Sequence, residues 1–108
     1  MFRFDDELKV YLHRDPVDFR CGINSLSILV EQAMQLSPMA PALFVFGNRR
    51  RDRIKILGWE RNGFWLLLKR LEAGDRFVWP DSKTAVVTLS VELLHWLVDG
   101  VDIAALER

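Results

Sequence analysis

Residues 53–70, RIKILGWERNGFWLLLKR, predict two long strands joined by a tight turn, and the rest of the predicted fold is arranged around them. Asn62-Gly63 separates two apolar, strand-forming runs, which is the pattern of a two-residue type I′ hairpin. That turn would place Lys55 directly opposite Arg70, on the face that also holds Arg53. The other face of the hairpin would hold Ile54, Ile56, Glu60, Trp65, Leu67 and Lys69.

Further elements are predicted on both sides of this hairpin. Asp18 is a good N-cap for a helix that ends before Ser37-Pro38, and Ser90 is a good N-cap for a second helix that ends at Gly100. We expect residues 1–8 to be a loose lead and residues 101–108 to be a short helix or a frayed tail. The predicted strands are Lys9–His13, Ala42–Phe46, Arg53–Glu60, Phe64–Arg70, Arg76–Trp79 and Ala85–Leu89.

This order of elements predicts one α+β domain over residues 1–108. An antiparallel sheet of about four to six strands, built as a meander with hairpins, would pack with two main helices. The chain has 108 residues, half of them hydrophobic, which is enough for a single core.

Composition also indicates the compartment. No apolar run approaches the roughly 20 residues that span a bilayer, and the acidic start of the chain does not resemble a signal peptide. A single cysteine, Cys21, cannot form an internal disulfide. We therefore expect a cytoplasmic protein with no membrane partner.

The neutral net charge of the chain conceals an uneven distribution. Residues 49–76 contain nine basic and four acidic residues, a net charge of +5, and the remainder carries −5. Like charges placed directly across a ladder are destabilising, so the pairing of Lys55 with Arg70 needs an explanation. Either acids from elsewhere neutralise the cations, with Asp15, Asp18 and residues 5–7 as candidates, or an anionic partner does so.

The anionic partner that we consider is DNA, because outward-pointing arginines suit phosphate contacts. Trp59 or Trp65 could stack on bases if exposed. The simpler alternative is a solvated charged surface. The predicted DNA contacts are Arg49, Arg50, Arg51, Arg53, Lys55, Lys69 and Arg70, with Arg20 as an additional position.

Catalytic chemistry has little support in the sequence. A metal-dependent nuclease could be built from Asp15, Asp18, Glu60, Glu72 and Asp75, but their spacing is not specific for a metal site. We therefore expect no enzyme activity, no catalytic residues, no metal site and no cofactor.

Five ordered motifs resemble one protein family. They are PVDFRCG at 16–22, ALFVF at 42–46, RIKIL at 53–57, KRLE at 69–72 and FVWP at 77–80. Together they are similar to the small TnpB-type accessory protein, from the second reading frame, of the bacterial insertion-sequence family numbered sixty-six. The similarity covers roughly residues 9–100.

The resemblance implies a non-catalytic role in transposition beside a separate, larger transposase encoded by the same element. DNA and that transposase are the implied partners. The alternative is a protein-interaction module that docks the transposase, or self-associates as a homodimer, without binding DNA.

Overall fold

The computed structural model describes residues 4–106, which form one five-stranded sheet and three helices. The strands lie side by side in the order β4-β3-β2-β1-β5. The elements, in chain order, are β1 (Lys9–His13), α1 (Ile23–Gln32), β2 (Ala42–Gly47), β3 (Arg53–Glu60), β4 (Gly63–Arg70), β5 (Val86–Leu89), α2 (Val91–Val98) and α3 (Ile103–Leu106). The predicted α+β class is confirmed.

The sheet is mixed, and the prediction of an antiparallel meander is wrong at one pair. Strands β1 and β2 run parallel, with Lys9 opposite Ala42 and Leu12 opposite Val45. The other three strand pairs are antiparallel. Helix α1 carries the chain back from the end of β1 to the start of β2, which is the crossover that a parallel pair requires.

All six residues of β2 are buried, because each face of this strand is covered by a different helix. Leu43 and Val45 belong to a core that includes Leu94 and Leu97 of α2. Phe44 belongs to a second core, on the opposite side of the sheet, with Leu26 and Val30 of α1 among its members. We call these sides the α2 face and the α1 face of the sheet.

The β3–β4 hairpin forms as predicted, but its register is wrong by two residues. The turn residues are Arg61 and Asn62, and it is Arg61 that has positive φ, at 49°. Glu60 pairs with Gly63, so the turn lies one residue earlier than the predicted Asn62-Gly63 turn. A type I′ turn needs positive φ at both turn residues, which this turn does not have.

A shift of two residues leaves every side chain on its predicted face, because side chains alternate with a period of two. It does change the partners across the ladder. Arg53, not Lys55, lies opposite Arg70, and Lys55 lies opposite Leu68. The predicted clash of like charges therefore exists, between a different pair of residues.

Two other predictions are wrong. Residues 76–79 are not a strand: Phe77 is buried and donates its N–H to the carbonyl of Arg51 at 2.7 Å, but the segment pairs with no strand among the described residues. Asp18 does not cap α1, which begins at Ile23 with Gly22 as its N-cap. The Asp18 carboxylate instead accepts hydrogen bonds from Arg20.

At the chain ends, α3 accounts for part of the predicted tail, while residues 1–3 and 107–108 lie outside the described residues. Ser90 caps α2 as predicted: its hydroxyl accepts the N–H of Leu93 at 3.1 Å. Gly100 follows the helix with φ of 86°, the left-handed conformation in which many helices end.

Replacing Ser90 by alanine tests this cap. Ser90→Ala should lower the free energy of unfolding by about 1 kcal/mol, because the N–H of Leu93 loses its partner. Urea denaturation measures the loss. The matched control is Ser25→Ala at an exposed position of α1, where the change should be within about 0.5 kcal/mol. An equal loss in both variants would contradict a capping role.

Candidate nucleic-acid interface

Six cationic side chains line two adjoining shallow grooves that meet at Phe19 and Arg53, beside β3 and β4 on the α1 face. Two carboxylates, Asp18 and Glu72, lie among them. We call this area the basic surface. Its cations are Arg20, Arg49, Arg50, Arg53, Lys55 and Arg70.

The turn between β2 and β3 presents Arg49 and Arg50. Asn48 fixes the turn: its side-chain amide donates to Asp52 at 2.6 Å, and its side-chain oxygen accepts the N–H of Arg53 at 3.1 Å. Arg49 and Arg50 lie at the tip of this turn and are exposed. A fixed backbone with outward side chains is suited to contact with an extended anion such as a phosphate chain.

Arg51, in the same run of arginines, has a structural role. Its guanidinium lies 4.5 Å from the centre of the Trp79 ring and donates to the carbonyl of Arg14 at 3.0 Å. Gly47 leaves room for it, since a Cβ at that position would lie 2.6 Å from the guanidinium. Burial lowers the pKa of Arg51, with an opposing effect from Asp15. Arg51 therefore links the turn to the body of the domain.

Arg53 and Arg70 face each other across the β3–β4 ladder, and both are exposed. Glu72 accepts hydrogen bonds from Arg70, with Nε 3.0 Å from its carboxylate. Within residues 4–106 no hydrogen bond or ion pair engages the side chain of Arg53, nor that of Arg49 or Arg50. The charges of Arg53 and Arg50 contribute to the lowered pKa of Asp52, although the Asn48 hydrogen bond is the larger cause.

Among the described residues, the acids that we considered as neutralising partners make no ion pair with Arg49, Arg50 or Arg53. Asp15 pairs with Arg14 at 3.0 Å, and Asp18 pairs with Arg20. Asp5 lines a groove on the other side of the sheet, beside Trp65. The unpaired arginines of the basic surface therefore remain available to a partner.

Lys55 holds the segment that precedes α1. Its ammonium donates to the carbonyls of Phe19 and Cys21, at 2.9 and 2.7 Å, and lies 4.9 Å from the centre of the Phe19 ring. These contacts place Phe19 at the centre of the basic surface. Phe19 was not among the predicted site residues, and its one signal in the sequence is its position inside the PVDFRCG motif.

Arg20 is held by Asp18 through its guanidinium, at 3.0 and 3.1 Å from Nε. These side-chain hydrogen bonds, followed by the hydrogen bond from the Arg20 backbone N–H, lower the pKa of Asp18 to about 2 from its ordinary 3.8. Arg20 thus contributes hydrogen-bond donors to the basic surface, while the neighbouring carboxylate offsets its charge.

Lys69 does not join the other predicted contacts. It lies on the opposite face of β4, and its ammonium donates to the carbonyl of Val98 at 2.8 Å. Val98 is the last residue of α2, where a cation interacts favourably with the helix dipole.

The tryptophans are also placed away from the basic surface. Trp65 is 62% exposed, but it lies on the α2 face, where its Nε1 donates to Glu60 at 3.2 Å. Trp59 is half-buried and packs edge-on against Phe64, with ring centres 4.9 Å apart. Base stacking beside the arginines would therefore depend on Phe19.

Four of the five carboxylates considered for a nuclease site are engaged in other contacts. Glu60 accepts from Trp65, Glu72 from Arg70, and Asp15 and Asp18 are in ion pairs. In the described part of the chain, no group of three His, Cys, Asp or Glu residues could hold a metal ion. Nor does any helix there have the length and apolar character needed to cross a membrane.

Comparison with known proteins identifies the family. The family of IS66 Orf2-like proteins matches residues 8–108, nearly the whole chain. The chain belongs to this family. The IS66 Orf2-like proteins are transposition accessory proteins and not a known class of enzymes.

Two relatives of this IS66 Orf2-like chain come from Sinorhizobium fredii (strain NBRC 101917 / NGR234). The uncharacterized protein y4hO is 34% identical over 95 residues, which cover 88% of this chain and 82% of the relative. The uncharacterized protein y4jC is 36% identical over 101 residues, which cover 94% and 86%. No solved structure matches the chain.

The structural role of Lys55 can be tested against its neighbour. Lys55→Met keeps the aliphatic stem but leaves two carbonyls without their donor, so it should lower the free energy of unfolding by about 1–3 kcal/mol. Arg53→Met, two residues away on the same face, removes an exposed cation and should change it by less than about 0.5 kcal/mol. Urea denaturation distinguishes the two variants, and equal stabilities would contradict the anchoring role.

The Asp18–Arg20 pair predicts a pH effect with a defined sign. Because the folded-state pKa of Asp18 is lowered, the contribution of the pair is complete above pH 3.8 and is lost as the pH falls towards 2. A carboxyl NMR titration should find a midpoint near 2 for Asp18. Arg20→Gln should move that midpoint towards 3.8, whereas Arg14→Gln should affect Asp15 and leave Asp18 unchanged.

Proposed function

We propose that this IS66 Orf2-like protein assists transposition by binding the phosphate backbone of DNA through its basic surface. The observation that carries the proposal is the set of three exposed arginines, Arg49, Arg50 and Arg53, that make no ion pair within residues 4–106 and lie beside Arg70. Arginine donors at fixed positions suit phosphate oxygens, and such contacts position a protein on a duplex without reading its sequence.

The segment before α1 extends this surface. Arg20 lies two residues before Gly22, the N-cap of the helix. The first turn of α1 contains no acidic residue, and no side chain caps it. The positive end of the helix dipole therefore reinforces the positive potential near Arg20.

The proposed contacts are Arg49, Arg50, Arg53, Arg70 and Arg20. Arg51, Lys55 and Lys69 act in this proposal as supports, since each of them donates to a backbone carbonyl of the domain. Because the rest of the chain carries a net charge of −5, we expect weak binding by the protein alone and stronger binding together with the transposase.

A second candidate uses the same surface to dock an acidic region of the transposase without DNA. The ion pairs already made by Arg20 and Arg70 favour it, because they offset the charge of two of the six cations of the basic surface. Titration of random duplex and element-end duplex at several salt concentrations, without and then with the transposase, separates the two candidates. Absence of DNA binding at low salt even with the transposase would leave the docking role.

The DNA proposal predicts a specific change in the salt dependence. The triple variant Arg49→Ala, Arg50→Ala, Arg53→Ala should bind all sequences more weakly, and its salt slope should fall by about one for each phosphate that the variant no longer neutralises. The measurement is a binding titration across a salt series.

The control removes Lys9 and Arg61, as Lys9→Ala with Arg61→Asn, since asparagine tolerates the positive φ at position 61. Lys9 pairs with Ala42, and Arg61 lies in the β3–β4 turn, so both are at the opposite end of the sheet from Arg53. The same loss of affinity for each charge removed in the control would indicate a general charge effect and not a defined surface.

A further inference from the structure

Strand β4 is an unprotected edge of the sheet. It has eight residues, Gly63–Arg70, and within the described part of the chain it pairs with β3 alone. Its ladder runs without a bulge from Gly63 to Arg70, and residues 63–68 contain no proline and no charge. Proteins usually block such edges with charges, prolines, bulges or short strands, because the free backbone groups can pair with another strand.

Exposed apolar side chains occur on both faces of this edge. Trp65 is 62% exposed on the α2 face, and Leu68 is 60% exposed on the α1 face. They are the two most exposed large hydrophobic residues in the described part of the chain. A helix or a domain docked on one face would cover only one of them, whereas a strand added along the edge would cover both.

The opposite edge of the sheet does not have these properties. Strand β5 has four residues, and its one exposed residue is Thr88. Both Val86 and Val87 are half-buried. The two edges therefore differ in length and in exposed apolar surface, and β4 is the one suited to strand addition.

We propose that β4 pairs antiparallel with β4 of a second copy of this chain, so that the two five-stranded sheets become one continuous sheet about a two-fold axis through Leu66. In this register Phe64 faces Leu68 of the second copy, and Trp65 faces Leu67, so that apolar residues meet apolar residues on both faces. The apolar pattern of two paired strands sets their register. The pattern of β4 therefore favours the register centred on Leu66 over registers shifted by one or two residues.

The charges of β4 also fit a second copy. Lys69 of one copy lies opposite Gly63 of the other, and Arg70 lies opposite Asn62, so no cation faces a cation. A Cβ at Gly63 would meet no atom within 4 Å, so this position has room for the opposing lysine stem. Self-pairing is thus matched in both apolar pattern and charge, as an isologous interface requires.

A two-fold axis normal to the sheet turns the α1 faces of both copies to the same side. The basic surfaces of the two copies would then face in one direction. The pairing itself does not depend on DNA binding, and it is tested without DNA.

The first test is the mass of the protein in solution by sedimentation. The wild-type chain should reach twice its 12.6 kDa mass as the concentration rises. The double variant Trp65→Lys with Leu68→Lys places two charges on each β4 strand of the proposed pair. It should therefore be a 12.6 kDa monomer. The control, Ile28→Lys with Met39→Lys, adds the same charge at residues that are 52% and 58% exposed elsewhere and should remain dimeric.

The second test determines the register of the proposed β4–β4 pair. In a Cys21→Ser background, Leu66→Cys should form an intermolecular disulfide on mild oxidation, because the two cysteines lie opposite each other on the axis. Thr88→Cys, on the other edge, should not. A monomeric wild type at all soluble concentrations would overturn the proposal. So would a dimer that survives the two lysine substitutions in β4, or one that cross-links only through position 88.

Discussion

Burial of β2 on both faces is the constraint on which the rest of the structure depends. A strand in which all six residues are apolar or glycine must be covered from two sides. Helix α1 covers one side through Leu26 and Val30, and α2 covers the other through Leu94 and Leu97. Since two short helices cannot also cover the outer strands fully, β3 and β4 extend beyond them, and exposed residues such as Arg53, Trp65 and Arg70 occur there.

The basic surface follows from this incomplete coverage. Arg53, Lys55 and Arg70 lie on the face that α1 leaves open, and the segment from Asp18 to Cys21 closes over part of it. The contact of Lys55 with two carbonyls of that segment shows how cations in one patch can differ in role. Some of them stabilise the fold by donating to the backbone, and others are left to the solvent or to a partner.

Much of the fold could be predicted from the sequence, because local signals specify it. Neighbouring residues alone correctly predict two features. One is the alternation of side chains between the two faces of Arg53–Glu60, and the other is the Ser90 cap. The parallel pairing of β1 with β2 could not be predicted, since the apolar run at Ala42 is compatible with either direction. The register of the hairpin also depends on a local choice, in which Arg61 and not Gly63 takes the left-handed conformation.

The candidate site was less predictable than the fold for a physical reason. Charge in the sequence shows where cations are, but not whether a buried carbonyl or a helix end already binds them. Lys69 and Arg51 are engaged in this way by Val98 and Arg14, residues that are distant in sequence. Phe19 lies at the centre of the surface in contact with Lys55, a contact between distant parts of the sequence that no periodicity indicates.

The pairing of β1 with β5 joins two segments that lie far apart in the sequence, with Val10 opposite Leu89. The core of the α2 face includes Val10 and Leu12 together with Leu94 and Leu97. During synthesis this core cannot close until α2 has left the ribosome. The nascent protein therefore exposes the apolar side of β1 and β2 until α2 is available, and this face of the domain folds only after the strands and α2 have all been made.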